Sequence, residues 1–123
     1  MHIILFAHGS RIESANEAVR KVAADLARAG GFSAVEAAFL ELGKPDLASA
    51  VAAVASSGAR QVTVIPYFLT LGLHLERDLP RLIDGIALAH PGLDMRVTPP
   101  LDGHPALVEA LLDRAKAVDK SLI

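Results

Sequence analysis

The chain has 123 residues, 12 Lys and Arg against 14 Asp and Glu, a net charge of −2, five histidines and no cysteine. That length suits one domain, residues 1–123, with a real hydrophobic core. The charge balance argues against general nucleic-acid binding, which wants a basic face, and the lack of cysteine removes disulfides and thiolate metal sites.

Apolar residues make up 52% of the chain, much of it alanine, and no run approaches the ~20 apolar residues of a membrane span. The start, Met1 to Phe6, has no basic segment before its apolar run, so it does not read as a signal peptide. The expectation is a cytoplasmic protein without a membrane association.

In chain order, HIILFA at residues 2–7 is a short apolar run without alternation, as in a strand covered on both faces. The turn His8-Gly9-Ser10-Arg11 follows, then a helix with Ser14 and Glu17 as a capping box and Ala15, Val19, Val22, Leu26 and Ala29 at helical spacing. Gly30-Gly31 stops it. A second strand is expected over residues 33–39, leading into Leu40-Glu41-Leu42-Gly43.

Pro45 and Asp46 open a second helix with the stripe Leu47, Ala50, Val51 and Val54, ending before Gly58. The third strand is Val62 to Ile65. An apolar connection, Tyr67 to Leu73, then delivers His74. A third helix, opening near Asp78 and Pro80, carries Leu79, Leu82, Ile83 and Ile86 and stops before Pro91-Gly92. A fourth strand spans Met95 to Thr98. The last helix begins near Pro105 and is expected to bury Leu107, Val108, Leu111, Leu112 and Ala115.

The βαβαβαβα order predicts an α/β fold in three layers, a mainly parallel four-stranded sheet of order 2-1-3-4 with helices on both faces. Ligands of such sheets bind beyond the carboxyl ends of the strands, where the winding reverses. Here that point lies between strands one and three, from which His8 and His74 emerge.

A single histidine in a turn reads first as structural. Two at one crevice can together hold a divalent metal and move a proton, because imidazole titrates near pH ~6.5. Glu41, at the end of strand two, is a solvated carboxylate taken alone and a proton acceptor or metal-attracting charge beside the histidines. His104 fits either the site or the start of the last helix. His2 and His90 belong to the far end. Nitrogen and oxygen donors without thiolate suit cobalt, nickel, iron or zinc held transiently. Arg11, Lys44, Arg77 and Arg81 lie in or near the same loops and are able to meet ligand carboxylates. The apolar loop calls for a partner subunit or a large, flat ligand.

Four motifs carry a family resemblance: AHGSR at residues 7–11, AFLEL at 38–42, P-x-F-L-x-x-G-x-H-x-x-x-D-x-P from Pro66 to Pro80, and PLDGHPALVEALLDRA at 100–115. Together they resemble the small CbiX-type sirohydrochlorin chelatases, class II chelatases of the ferrochelatase-like fold. Thr70-Leu71 depart from the more aromatic or small-residue pair expected there.

The resemblance implies ATP-independent insertion of a divalent metal into sirohydrochlorin. Co2+ is the first expectation, with Ni2+ or Fe2+ as alternatives, and the metal is a substrate rather than a permanent cofactor. His8 and His74 match the family's metal-binding and proton-accepting histidines, and Glu41 its acidic position. Ser10, Arg11 and the loop Tyr67, Phe68, Leu69, Thr70, Leu71, Gly72 and Leu73 would then bind the ring.

Larger relatives of that fold pair two such halves in one chain, so the resemblance implies a homodimer here, with two half-clefts facing each other. A non-catalytic metal or tetrapyrrole carrier is the alternative function, and a plain interaction module a third. A hydrolase or nucleotide site is disfavoured, since neither a G-x-S-x-G elbow nor a Walker loop is present.

Overall fold

The computed structural model describes residues 1–122. Four apolar runs form one sheet: β1 (His2–Ala7), β2 (Ala34–Phe39), β3 (Gln61–Pro66) and β4 (Asp94–Val97). All pairings are parallel, in the order β2-β1-β3-β4. Central β1 lies in register with both neighbours, Leu5 opposite Ala37 on one side and Ile65 on the other. Its residues 3–7 are all buried, which accounts for their unbroken apolarity. Four helices connect or follow the strands: α1 (Glu13–Gly30), α2 (Leu47–Ser56), α3 (Gly72–Ala89) and α4 (Pro105–Leu122). The expected α/β architecture and strand order are the ones observed.

Strand alternation divides the core in two. Ile4, Phe6, Ala38, Val62 and Val64 face α2 and α3 and meet Leu47, Ala50, Val51, Val54, Leu79 and Ile86. On the other face Ala7, Ala37 and Phe39 meet Val19 of α1. Asp46 caps α2 by accepting the Ser49 backbone N–H at 2.8 Å. The helix then buries the predicted Leu47, Ala50, Val51 and Val54.

Three local expectations are overturned. The capping box of Ser14 and Glu17 does not form: α1 starts at Glu13 behind Ile12, with no side-chain cap, and Glu17 pairs instead with Arg20. The buried face of α1 is set by Asn16 and Ala23, while Val19 and Leu26 of the predicted stripe are half-buried and Ala15, Val22 and Ala29 exposed. Asn16 displaces the apolar register because its amide has partners waiting inside, as described below.

α3 begins at Gly72, not near Asp78, so Pro80 lies inside the helix. Proline there lacks the N–H that would reach the carbonyl of residue 76. Glu76 is exposed, so water can meet the freed oxygen. The proline therefore misled as a start signal.

The largest departure is α4. Instead of burying its apolar stripe, it leaves Val108, Leu111, Leu112 and Val118 between 52% and 70% exposed. Ala115 is exposed as well, and Leu107 alone is half-buried. Among the described residues, α4 packs on no strand or helix to the extent the other helices do. Amphipathic spacing reports that a face wants cover, not which chain supplies it.

The capping carboxylate gives a pH test. The Ser49 hydroxyl and backbone N–H hold the Asp46 carboxyl below its ordinary value. A lowered folded-state value means that the stabilisation is complete above the ordinary aspartate range and fades as pH falls through the lowered one. Asp46→Ala should therefore cost about 1 kcal/mol at pH 7. In urea denaturation that difference should shrink as the pH falls through the lowered value. A difference independent of pH would show that the carboxylate does not act through its charge.

Candidate functional site

Two turns at the carboxyl edge of the sheet are locked together by backbone. Leu40 N–H donates to the Ala7 carbonyl at 2.9 Å, and Glu41 N–H to the His8 carbonyl at 3.0 Å. The ladder between β1 and β2 thus runs on into the two loops, and His8 and Glu41 leave it side by side. Gly9 closes the contact. Its φ is +94°, and a Cβ there would lie 1.7 Å from the Glu41 carbonyl oxygen. No other residue type fits without moving that strand end.

Asn16, only 1% exposed, fastens the same turns from below. Its Oδ1 accepts the Ser10 N–H at 2.9 Å, and its Nδ2 donates to the Ser10 carbonyl at 2.9 Å and the Leu42 carbonyl at 3.1 Å. Leu42 has φ +58°, a left-handed conformation that costs a branched residue of this size about 1 kcal/mol or more.

Arg20 ties the loop from outside. It donates to Glu13 at 2.6 Å, to Glu17 and to the Lys44 carbonyl at 3.0 Å, with its guanidinium 5.3 Å over the Phe39 ring. The bond from Arg20, followed by that from Asn16, holds the Glu13 carboxyl below its ordinary value.

The locked turns place His8 Nε2 3.5 Å from Glu41 Oε1. The other ring nitrogen of His8, Nδ1, lies 3.2 Å from the Gly9 carbonyl oxygen. A carbonyl and a carboxylate can both only accept, so the neutral ring satisfies one of these contacts at a time, and a proton or a cation between Nε2 and Oε1 satisfies the other. Two Lewis bases converge there, in solvent reach, on a position that suits a proton or a cation.

His74 lies in the first turn of α3, not in a loop. With His8 it lines a cleft of about 380 Å³. Leu40, Phe68, Leu71, Gly72, Leu73, Leu75 and Asp78 complete the walls. Arg77 approaches His74 Nδ1 at 3.4 Å and pairs with Asp78 at 3.2 Å.

Of the predicted ring-binding residues, Phe68, Leu71, Gly72 and Leu73 line this cleft, and Ser10, Arg11, Tyr67, Leu69 and Thr70 do not. Ser10 shapes the turn by accepting the Ile12 N–H at 3.0 Å. Tyr67 packs on the α1 face beside Ala7 and Phe39. Arg11, Leu69 and Thr70 point to solvent. Glu41 stands beside His8 at the rim.

His104 accepts the Ala106 N–H at 3.0 Å and so caps α4 rather than joining the histidines. Leu40, Leu75 and Asp78 also line the cleft; a helix start at Gly72 puts Asp78 one turn beyond His74 on the same face. Among the described residues no three His, Asp or Glu side chains are gathered as a ready metal cage.

Four parallel strands with two histidines lining one cleft at the switch point define an α/β protein with its candidate site at the carboxyl edge of the sheet. The chain belongs to the CbiX family, whose model matches residues 2–118. A curated relative, the sirohydrochlorin cobaltochelatase of Methanopyrus kandleri, is 37% identical over 81 residues, 66% of this chain and 57% of that one. The chloroplastic sirohydrochlorin ferrochelatase of Arabidopsis thaliana is 32% identical over 112 residues, 91% of this chain and 50% of that one. The chain thus spans about half the length of the curated relatives it matches.

Among solved structures, a putative cobalamin-biosynthesis CbiX protein from Marinobacter aquaeolei superposes with a TM-score of 0.85 at 32% identity, over 98% of both chains. The sirohydrochlorin chelatase SirB of Bacillus subtilis, in complex with cobalt, gives a TM-score of 0.87 at 25% identity, over 95% of this chain and 50% of that one.

Gly9→Ala should lower the unfolding free energy by about 2 kcal/mol or more, read from denaturant midpoints. It should also raise hydrogen exchange at the amides of residues 40 and 41. An alanine variant with the parental midpoint and exchange would mean that the two turns are not held by this contact.

Proposed function

We propose that this chain inserts a divalent metal, cobalt first and nickel or iron as alternatives, into sirohydrochlorin without ATP, and that it does so as a homodimer of one-domain subunits. The observation that carries the reading is the pair of convergent bases, His8 Nε2 and Glu41 Oε1 at 3.5 Å, at the mouth of an apolar cleft shared with His74. The matches to a cobaltochelatase and a ferrochelatase support the reaction class, and the cobalt-bound SirB the metal.

Metallation of a tetrapyrrole removes two pyrrole N–H protons and replaces metal-bound water by ring nitrogens in turn. His8 supplies a nitrogen lone pair to the incoming ion, with the Glu41 carboxylate adding negative charge at 3.5 Å. The flat ring face lies against Phe68, Leu71, Leu73 and Leu75, an apolar wall that favours stacking of the ring.

His74 differs from His8 in its partner. Arg77 can only donate, so His74 Nδ1 is the acceptor of that 3.4 Å contact. A substrate carboxylate that draws Arg77 away frees Nδ1 to bind metal or take a pyrrole proton. The acidic rim of the ring and the basic residue beside the histidine then work together. Two such half-clefts facing each other across a twofold axis would enclose both faces of the ring.

Purified protein mixed with excess sirohydrochlorin and Co2+ should complete many turnovers, seen as the absorbance change on metallation. A carrier would stop at one equivalent. His74→Ala should fold as the parent does and lose about 100-fold or more in rate. A folded His74→Ala that inserts cobalt at the parental rate would refute the assignment.

A further inference from the structure

The two histidines of the cleft stand in opposite surroundings. His8 has a carboxylate beside it, Glu41 Oε1 at 3.5 Å from Nε2. His74 has a cation: Arg77 Nη2 donates to its Nδ1 at 3.4 Å. The same guanidinium donates from Nε to Asp78 Oδ1 at 3.2 Å. His74 and Asp78 lie one helical turn apart on α3, a spacing that puts both on one face, and both line the cleft. One nitrogen donor and one oxygen donor thus sit together in the cleft with a single arginine bonded to both.

An arginine in that place works against a metal in two ways. It uses the Nδ1 lone pair, so the neutral ring keeps its proton on Nε2 and has no lone pair left for an ion. Its positive charge also repels an approaching divalent cation. Neither contact holds it firmly. The Arg77 and Asp78 side chains are 60% and 56% exposed, and ion pairs that open to water are weak. A carboxylate on an entering ligand can take the guanidinium in a two-bond fork, the geometry that arginine favours.

We propose that Arg77 masks a second pair of metal donors, His74 Nδ1 and the Asp78 carboxylate, and that a carboxylate of the tetrapyrrole unmasks it. In the empty cleft the incoming ion then meets one open landing place, His8 with Glu41. Once the ring is seated and Arg77 has turned to its edge, the ion gains the His74–Asp78 pair as well. Nitrogen and oxygen ligands of this kind suit cobalt, nickel and iron alike. Ring and metal both favour the state in which Arg77 has turned, so each raises the other's affinity by the same factor. The inference deepens the proposed chelatase function and rests on it.

The test titrates Co2+ alone into the full chain at low ionic strength, where charges are least screened, and follows the heat and the cobalt absorbance bands. Arg77→Met removes the mask and should bind Co2+ about tenfold more tightly than the parent. Adding either His74→Ala or Asp78→Asn to Arg77→Met should cancel that gain. All three side chains are exposed, so the variants should keep the parental circular dichroism. In turnover, the KM for Co2+ should fall as sirohydrochlorin is raised in the parent and stay constant in Arg77→Met. Arg77→Met with the parental Co2+ affinity, or a gain that survives removal of either donor, would overturn the mask. So would a metallating parent whose KM for Co2+ ignores the sirohydrochlorin concentration. A parent that metallates nothing would overturn the proposed function and the tetrapyrrole as the unmasking ligand, while the Co2+ titration still decides whether Arg77 masks the two donors.

Discussion

Gly9 and the carbonyl of Glu41 touch so closely that no side chain fits between them, and the site is built outward from that contact. Because the β1 and β2 turns continue the sheet's hydrogen bonding, His8 and Glu41 are placed by the backbone rather than by flexible side chains. Asn16 and Arg20 then spend buried amide bonds, a cation over an aromatic ring and charge-assisted bonds on holding these turns from two sides. Exposed histidine and glutamate side chains can afford to face water because their main chain is rigid.

The consequence is a division of labour. The α2–α3 side of the sheet is a conventional apolar core and supplies stability. The carboxyl edge gathers nitrogen and oxygen donors over an apolar wall. Donors that are half open to solvent, without a third ligand nearby among the described residues, suit an ion that arrives and leaves rather than one kept as a structural centre.

The repeated strand–helix alternation and the unbroken apolarity of β1 made the fold legible, including the strand order that sets His8 and His74 at one crevice. The pattern was least informative where a polar or imino residue acts against its usual preference. Pro80 sits inside α3, and a helix start at Gly72 is what turns His74, Leu75 and Asp78 into cleft residues. Asn16 is buried because three backbone groups from two turns meet its amide, a long-range arrangement that spacing along α1 does not encode. α4 is the converse case: its stripe was evident, but amphipathic spacing is the same whether the cover comes from its own sheet or from another chain.

The account stands on His8 and Glu41 acting as one unit, positioned by the Gly9 contact. A double-mutant cycle on the initial rate of cobalt insertion into sirohydrochlorin, with His8→Ala, Glu41→Gln and the two combined, reads that coupling most directly. The account predicts a double variant scarcely slower than the slower single one. Losses that simply multiply would show the two groups to be independent and would contradict it.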